Sequence, residues 1–458
     1  MTNRPFSSLS IKSELLENLE SLEFTSMTPI QSEALPIILQ GKDLIAQGKT
    51  GSGKTVAFGL ALIERLNVKN LRPQALVLCP TRELANQVAI VLRQLARMSP
   101  NVKVLNICGG LPFRPQELSL SHGTHIVVGT PGRICKHLRK NNLNLTDLRT
   151  LVLDEGDRML EMGFQEDIDM VVDCSPKNRQ TLLFSATFPD RINSMIDGIM
   201  SNPQKIEVDS NSVNDAIEQH FYKIGSEKSR MGILKQLLLK HPESTVVFCN
   251  TKAEVMDVTD ELIDSGFSAL DIHGDLEQRD REETLIKFTN RSITILVATD
   301  VAARGLDVSS IEAVVNYRIG KDLKAHVHRV GRTGRAGEKG MAYTLFSEKE
   351  SYKLRQLEEF LEAEIEVETI ELSKSTGTPV KAPMVTLFTK VGKKQKLRPG
   401  NLLGALTGEN GLDGKDIGKI NVQDHVSYIA VKREQEEKAI DTLISQKWKS
   451  RPIKAVRI

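Results

Sequence analysis

Residues 44–66 read LIAQGKTGSGKTVAFGLALIERL. A short apolar run enters a glycine-rich turn, and the turn enters a stretch whose apolar residues recur at helical spacing. Gly48, Gly53, Lys54 and Thr55 hold the fixed positions of G-x-x-x-x-G-K-[ST]. Glycines let the backbone of the turn, with Thr50, Gly51 and Ser52, curl so that its N–H groups face phosphate oxygens. The helix that follows presents its positive end to the same anion. Lys54 reaches the β- and γ-phosphates of a nucleoside triphosphate, and Thr55 is placed to ligate Mg²⁺.

Short apolar runs further along the chain repeat this strand–turn–helix rhythm. ALVLCP, VKVLNICGG, THIVVGTPGR, TLVLDEG and TLLFSAT are each bounded by Gly, Pro or polar residues, and read as buried parallel strands with helices between them. The rhythm restarts with STVVFCN, SALDIHG, ITILVATD and EAVVNYR, which makes a second α/β unit. The polar stretch VDSNSVNDAIE is the seam, so the spacing predicts domains over 1–208 and 218–370. KESYKLRQLEEFLEAEIEVE reads as an amphipathic helix closing the second domain. Residues 371–382 read as a Ser/Thr/Pro/Lys-rich linker. Residues 383–458 read as a third, small α/β module with βα…βαβ order.

A triphosphate-cleaving site also needs a carboxylate at a strand end to hold Mg²⁺. TLVLDEGD supplies Asp154 for the metal and Glu155 to orient or deprotonate the attacking water. The second unit has no phosphate-cradling turn of its own. Its HRVGRTGR instead spaces Arg329, Arg332 and Arg335 by three, and such arginines can stabilise charge developing at a γ-phosphate. The chemistry is then expected in a cleft that is active only when the two units close.

Together these segments resemble the DEAD-box RNA helicases over roughly residues 4–370. FTSMTPIQ is similar to that family's Q motif, which implies Phe24 stacking on adenine and Gln31 bonding its edge. PTRELA, Gly109–Gly110 and TPGR resemble the RNA-backbone contacts of the first domain, with Arg82, Gly110, Thr130 and Arg133 as the implied residues. SAT is similar to motif III, with Ser185 and Thr187. Gln278 to Arg281 and ATDVAARGLD resemble second-domain motifs, implying RNA contacts by Gln278, Arg281 and Thr299 and ribose recognition by Asp307. The resemblance further implies Arg332 and Arg335 as arginine fingers and His328 as the link from motif VI to the catalytic network. It implies two RecA-like parallel-sheet domains, ATP and Mg²⁺ as ligands, and RNA as substrate.

The sequence departs from the family pattern at Gly156, where the family has alanine, at Glu23, where it usually has glycine, and at Met27, where it has proline. The third module, through KKQKLRPGNLLGALTGENGLDGKDIGKI, resembles the RNA-binding tail of the DbpA subfamily. That implies an RRM-like fold that tethers the helicase to a hairpin of 23S ribosomal RNA during large-subunit assembly. Lys393, Lys394, Lys396 and Arg398 are the candidates for phosphate contacts, because the module has few aromatics for base stacking.

Composition narrows the classes. The chain is 40% hydrophobic and 26% charged, an ordinary globular balance over a length suited to about three domains. Five scattered cysteines without a CxxC pair, and histidines without a third ligand nearby, argue against disulfide and zinc frameworks. No run is long and apolar enough for a membrane span or a signal peptide, so the cytoplasm is the expected compartment. A monomer is the expected state. Net charge is +2, but residues 383–458 carry 15 Lys/Arg against 8 Asp/Glu, a net +7 on a body at −5. That asymmetry points to a polyanion partner for the tail. From the P-loop and carboxylates alone, a DNA-directed translocase and an ATP-gated RNA clamp with weak turnover remain open.

Overall fold

The computed structural model describes residues 4–48, 51–185, 198–208, 217–241, 244–300, 311–320, 322–334, 339–370, 377–408, 411–445, 447–448 and 451–458. The chain forms two compact units that part between residues 212 and 213.

The first unit is built on seven strands: β1 (Leu44–Gln47), β2 (Ala75–Leu78), β3 (Val104–Ile107), β4 (Ile126–Gly129), β5 (Thr150–Asp154), β6 (Gln180–Ser185) and β7 (Gln204–Glu207). All pair in parallel, in the order β3-β4-β2-β5-β6-β1-β7. Its helices are α1 (Ser13–Ser21), α2 (Pro29–Leu39), α3 (Lys54–Glu64), α4 (Arg82–Leu95), α5 (Phe113–Ser121), α6 (Pro131–Arg139), α7 (Gly156–Glu161) and α8 (Gln165–Asp173). The sheet is covered on both faces. Ala75 and Val77 of β2 join one apolar layer with α2, α3 and α4, while Leu76 and Leu78 join the other with α6 and α8. A strand buried on both sides has no polar face to alternate, which is why these runs are continuously apolar.

The second unit repeats the design with β8 (Ile217–Ile224), β9 (Thr245–Cys249), β10 (Ala269–Ile272), β11 (Ile295–Thr299), β12 (Ala313–Asn316), β13 (Gly340–Ser347) and β14 (Val367–Thr369). These strands are again parallel, in the order β10-β11-β9-β12-β13-β8-β14. Counted from each unit's first strand, this is the same permutation as in the first unit. Loops that follow equivalent strands therefore emerge at equivalent places on the carboxyl edge, where open α/β sheets bind ligands.

One expectation is corrected here. The acidic helix read over KESYKLRQLEEFLEAEIEVE ends at Leu361. Glu362 adopts a left-handed conformation (φ 51°), and Val367–Thr369 then pairs with β8 as the sheet's edge strand. β-branched residues in IEVET favour an edge strand over a further helical turn.

The same unit carries the third module. Strands β15 (Met384–Thr389), β16 (Ile417–Val422), β17 (Ser427–Lys432) and β20 (Ala455–Arg457) form an antiparallel sheet in the order β16-β17-β15-β20. A two-stranded ladder, β18 (Lys447–Trp448) with β19 (Arg451–Pro452), sits beside it. The inner face, with Val385, Leu387, Ile429 and Val431, packs on the helices Pro399–Leu406 and Glu436–Ser445. The outer face is covered as well along β15 and β17, while Val456 on β20 and Asn421 on β16 stay exposed. Phe388 and Tyr428 are cross-strand neighbours there, and both are buried. Asn290 donates to the Thr386 hydroxyl at 3.1 Å, and the Ser292 hydroxyl bonds the same oxygen. Burial pushes up the Tyr428 phenol, with Glu283, Arg279 and Glu282 of the second domain around it. The two central strands of the sheet face on which an RRM stacks bases are here taken up against the second α/β domain.

Four of the five cysteines are buried and Cys174 is exposed. Among the described residues no group of His, Cys, Asp and Glu is placed to hold a metal ion, and no helix is long and apolar enough to cross a membrane.

Candidate active site and nucleic-acid interface

Gly48 follows β1 at its carboxyl end, and Gly51 to Gly53 lead into α3. Gly51 (φ 85°) and Gly53 (φ 91°) sit in the left-handed region that side chains resist. A Cβ on Gly53 would collide with the Gln31 amide, because the Q motif is plugged into this turn. Gln31 Nε2 donates to the Gly53 carbonyl at 3.1 Å, its Oε1 accepts from Thr28 N–H at 2.9 Å, and Thr28 Oγ1 donates to the Ser52 carbonyl at 2.8 Å. Gln31 and Lys54 are buried, and Lys54 Nζ donates to the Gly48 carbonyl at 2.8 Å. Thr55 follows, half-buried in the first turn of α3.

The two departures in the Q motif have local explanations. Glu23 has φ 62°, a conformation that favours glycine, so the chain tolerates a strained residue there. Met27 is buried, and its N–H donates to the Arg4 carbonyl at 2.8 Å, a bond that proline cannot make. Phe24, between them, keeps its ring exposed.

β6 lies beside β1 and β5 beside β6, and they end in Ser185 and Asp154. Ser185 bridges two motifs. Its carbonyl accepts from Gly48 N–H at 3.0 Å, and its hydroxyl accepts from Asp157 N–H at 3.3 Å. Asp154 is buried, and burial raises its carboxyl to about 7, against the opposing pull of Lys54. A buried carboxylate that is this reluctant to ionise beside a phosphate cradle fits a site completed by a divalent cation. Glu155 stands next to it in a left-handed conformation (φ 53°, ψ 54°). Strain of this kind persists where the surrounding structure over-determines it.

Gly156 opens α7, and a Cβ added to it would lie 2.5 Å from Leu183 Cδ1. The Leu183 methyl fills the space that an alanine would need. Reverting Gly156 to alanine is therefore expected to destabilise the first domain by about 1–3 kcal/mol through overpacking. Leu183→Val in the same chain should recover most of the loss. Thermal melting of the two single variants and the double variant checks this, and an additive double variant would sink it.

The other half of the sheet edge carries the basic motifs. Arg82 is the first residue of α4, behind the Thr81 cap that follows β2. Gly110 (φ 76°) follows β3, and its Cα lies so close to the Arg82 guanidinium that no side chain fits between them. Thr130 is the N-cap of α6 after β4. Arg133 Nη1 donates to Gln116 Oε1 at 3.0 Å, and Gln116 Nε2 donates to the Cys108 carbonyl at 2.9 Å. Buried Gln116 thus ties the Gly-Gly turn to the TPGR helix, a link that spacing alone did not reveal. One sheet edge holds the phosphate motifs on β1, β5 and β6 and the basic motifs on β2, β3 and β4.

In the second domain Gln278 opens the helix Gln278–Thr289 with Arg281 one turn on, and Thr299 ends β11. His328 lies in the helix Leu323–Val330, and Arg332 is buried just beyond it. Arg329 does not project toward a ligand as its spacing suggested. It is buried, donates to both Asp300 carboxylate oxygens, to Asn250 Oδ1 at 2.9 Å and to the Arg318 carbonyl at 3.2 Å, and lies over the Phe248 ring. A guanidinium with its donors satisfied inside one domain is a fastener. Thr50, Thr187, Asp307 and Arg335 lie outside the described residues.

On the tail, Lys393, Lys394, Lys396 and Arg398 are all exposed and make no ion pair among the described residues. Their turn is held from behind. Lys393 N–H donates to the Gln423 carbonyl at 2.8 Å, Lys394 N–H to the Asp424 carbonyl at 2.9 Å, and Trp448 Nε1 to the Gln395 carbonyl at 3.0 Å.

Comparison with known proteins gives this arrangement its family. Residues 28–195 match the DEAD/DEAH box helicase model, residues 229–337 the helicase conserved C-terminal domain, and residues 386–457 the DbpA RNA binding domain. The chain is 50% identical over 437 residues to the ATP-dependent RNA helicase DbpA of Escherichia coli (strain K12), with 95% of each chain covered. It is 36% identical over 448 residues to the ATP-dependent RNA helicase DbpA of Bacillus subtilis (strain 168), with 93% of each covered. Among solved structures it is similar to S. cerevisiae Dbp5 bound to RNA and ADP BeF3, at 31% identity and a TM-score of 0.74 over 80% of this chain and 95% of that one. The DNA-directed and non-enzymatic alternatives give way to this match, and the chain belongs to the DEAD-box ATP-dependent RNA helicases, in their DbpA subfamily.

Proposed function

We propose that this RNA helicase remodels 23S ribosomal RNA during assembly of the large ribosomal subunit, in the cytoplasm and as a monomer, and that its tail supplies the address. The observation that carries the reading is the exposed basic turn of Lys393, Lys394, Lys396 and Arg398 on a module whose sheet-face aromatics, Phe388 and Tyr428, are already buried. Such a surface engages a structured RNA through phosphates and groove edges and leaves base stacking aside. Docking on the second domain then keeps the catalytic core near whatever RNA the tail holds, which raises its effective concentration there. The 23S hairpin follows from the subfamily resemblance.

In the core, the Phe24 ring stacks on adenine and Gln31 reads its edge. The N–H groups of Gly48 to Gly53, with Lys54, hold the phosphates. Thr55 and Asp154 would hold Mg²⁺, which would supply positive charge against that developing on the phosphates. Glu155 orients the attacking water and takes up its proton, Asp307 binds the ribose, and Arg332 and Arg335 stabilise the γ-phosphate. Ser185 and Thr187, with His328 of motif VI, report nucleotide state between the motifs. The RNA backbone lies along Arg82, Gly110, Thr130 and Arg133 on one domain and Gln278, Arg281 and Thr299 on the other. Closure bends that strand out of A-form, and a short duplex melts locally.

The test is the variant K393Q/K394Q/K396Q/R398Q. It should lose about tenfold or more in apparent affinity for a 23S fragment while keeping its stimulation by generic single-stranded RNA. Unchanged preference for the 23S fragment in the variant would place specificity elsewhere.

A further inference from the structure

The helix that begins with the TPGR motif carries more positive charge than the motif requires. Arg133, Lys136 and Lys140 stand at i, i+3 and i+7 on α6 and the residue after it, so they share one face with rises of about 4.5 and 6 Å between them. All three converge on one ring: Lys140 Nζ is 4.9 Å, Lys136 Nζ 5.5 Å and Arg133 Cζ 5.7 Å from the centroid of Phe113 on α5. The ring itself is fixed. It stacks on His137 at a centroid distance of 4.1 Å and an angle of 8°. His137 is fully buried, and its Nε2 shares the Gln116 oxygen that also holds Arg133. Burial, then the nearby cations, push the imidazole down to about 4, so it stays neutral and adds no charge of its own.

None of the three cations makes an ion pair among the described residues. Lys136 and Lys140 are exposed. An aromatic floor attracts cations through its quadrupole yet leaves their charge uncompensated. Glu117, one turn beyond Phe113 on α5, brings a carboxylate near the His137 imidazole but forms no ion pair with the three cations among the described residues. Three cations against that carboxylate leave a net positive surface for an outside anion, and a row of them suits a repeating one. The row starts at Arg133, which the TPGR motif already places at the basic half of the sheet edge.

We propose that Arg133, Lys136 and Lys140, seated on Phe113, form a phosphate-binding row that carries an RNA strand onward along α6 from the Arg82–Gly110–Thr130 edge. The proposal rests on the reading that this edge carries RNA. It adds a subsite that lengthens the strand held by the first domain and raises affinity for long over short single strands.

The experiment is binding of a fluorescein-labelled 20-nucleotide oligo-U RNA to the full chain, followed by anisotropy across a salt series. The variant is K136Q/K140Q, whose side chains are exposed, so its thermal melting should match wild type. Losing two phosphate contacts should reduce the slope of log K against log salt by about 1.4, at about 0.7 per phosphate for a single strand. Binding at low salt should weaken about tenfold. An unchanged slope and affinity overturn the row. So does an equal fall in slope in the K69Q/K177Q control, whose lysines lie outside α5 and α6. Arg133→Gln separates this failure from that of the underlying reading. If it weakens binding while K136Q/K140Q does not, the row is overturned and the edge stands. If neither variant changes binding, both are overturned.

Discussion

Lys54→Ala is expected to remove ATP turnover almost completely while the first domain stays folded. Lys54 is a buried cation at the mouth of the phosphate cradle, and its Nζ rests on the Gly48 carbonyl, 2.8 Å away. A preorganised charge aimed at a developing anion contributes about 10²–10³ in rate when removed singly. The variant should therefore lose at least about a hundredfold in kcat. Far-UV circular dichroism and melting should match wild type closely, because the apolar face of α3 is untouched. Full ATPase in this variant would show that the cradle read from Gly48 to Thr55 is not the nucleotide site.

Arg230→Met is expected to damage the second domain about as severely, through stability instead of chemistry. Arg230 is fully buried at the carboxyl edge of that sheet. Its Nη1 donates to the Tyr317 carbonyl at 2.5 Å and to the Leu345 carbonyl at 3.1 Å. Its Nη2 donates to Glu227 Oε1 at 2.9 Å and to Glu350 Oε2 at 2.5 Å. Arg318 joins the network through Glu254 and Glu227. Removing one member of a buried pair strands the others, at a cost of about 3–5 kcal/mol.

The network also gives the loss a pH signature. Hydrogen bonds from Arg230 and then Arg318, outweighing desolvation, hold the Glu227 carboxyl down at about 2. Burial alone would raise Glu350, but the Ser347 N–H and Arg230 keep it below the usual range. Depressed carboxylates stabilise the fold fully above their unfolded pKa, about 4.3 for Glu, and lose that contribution as pH falls toward the folded value. The wild-type advantage over Arg230→Met should thus be constant above about pH 5 and shrink between that pH and about 2. Denaturant unfolding at pH 7 and pH 3 measures it. An advantage that is the same at both would mean that the carboxylates do not hold Arg230 in place.

Much of this was legible in the sequence because the physics was local. Buried parallel strands must be apolar throughout, so ALVL and STVVF announced themselves, and the P-loop spacing fixed a turn before any coordinates. What escaped was set by partners far along the chain. QKIE is a strand only because its backbone pairs with β1, and three of its four residues are exposed. IEQHFYKI, read partly as seam, is a central strand between β13 and β14 despite its polar residues. Arg329 matched a finger's spacing, and only Asp300 and Asn250, brought near by the fold, show that its donors are spent inside the domain. Gly156 looked like a loss of rigidity, whereas Leu183, on the neighbouring strand, supplies the missing volume. Gln116 carried no motif at all, because its role is to join two motifs in space. The covered part of the tail sheet's outer face was out of reach for the same reason: Thr386 and Tyr428 meet the second domain about 100 residues away in sequence or more.

The most direct test of the account is steady-state ATPase of the full chain without RNA, with generic single-stranded RNA, and with a 23S fragment containing the peptidyl-transferase-region hairpin. The account predicts low activity alone, modest stimulation by generic RNA, and strong stimulation by the 23S fragment at concentrations where generic RNA has little effect. Equal stimulation by both RNAs at matched concentration would contradict it.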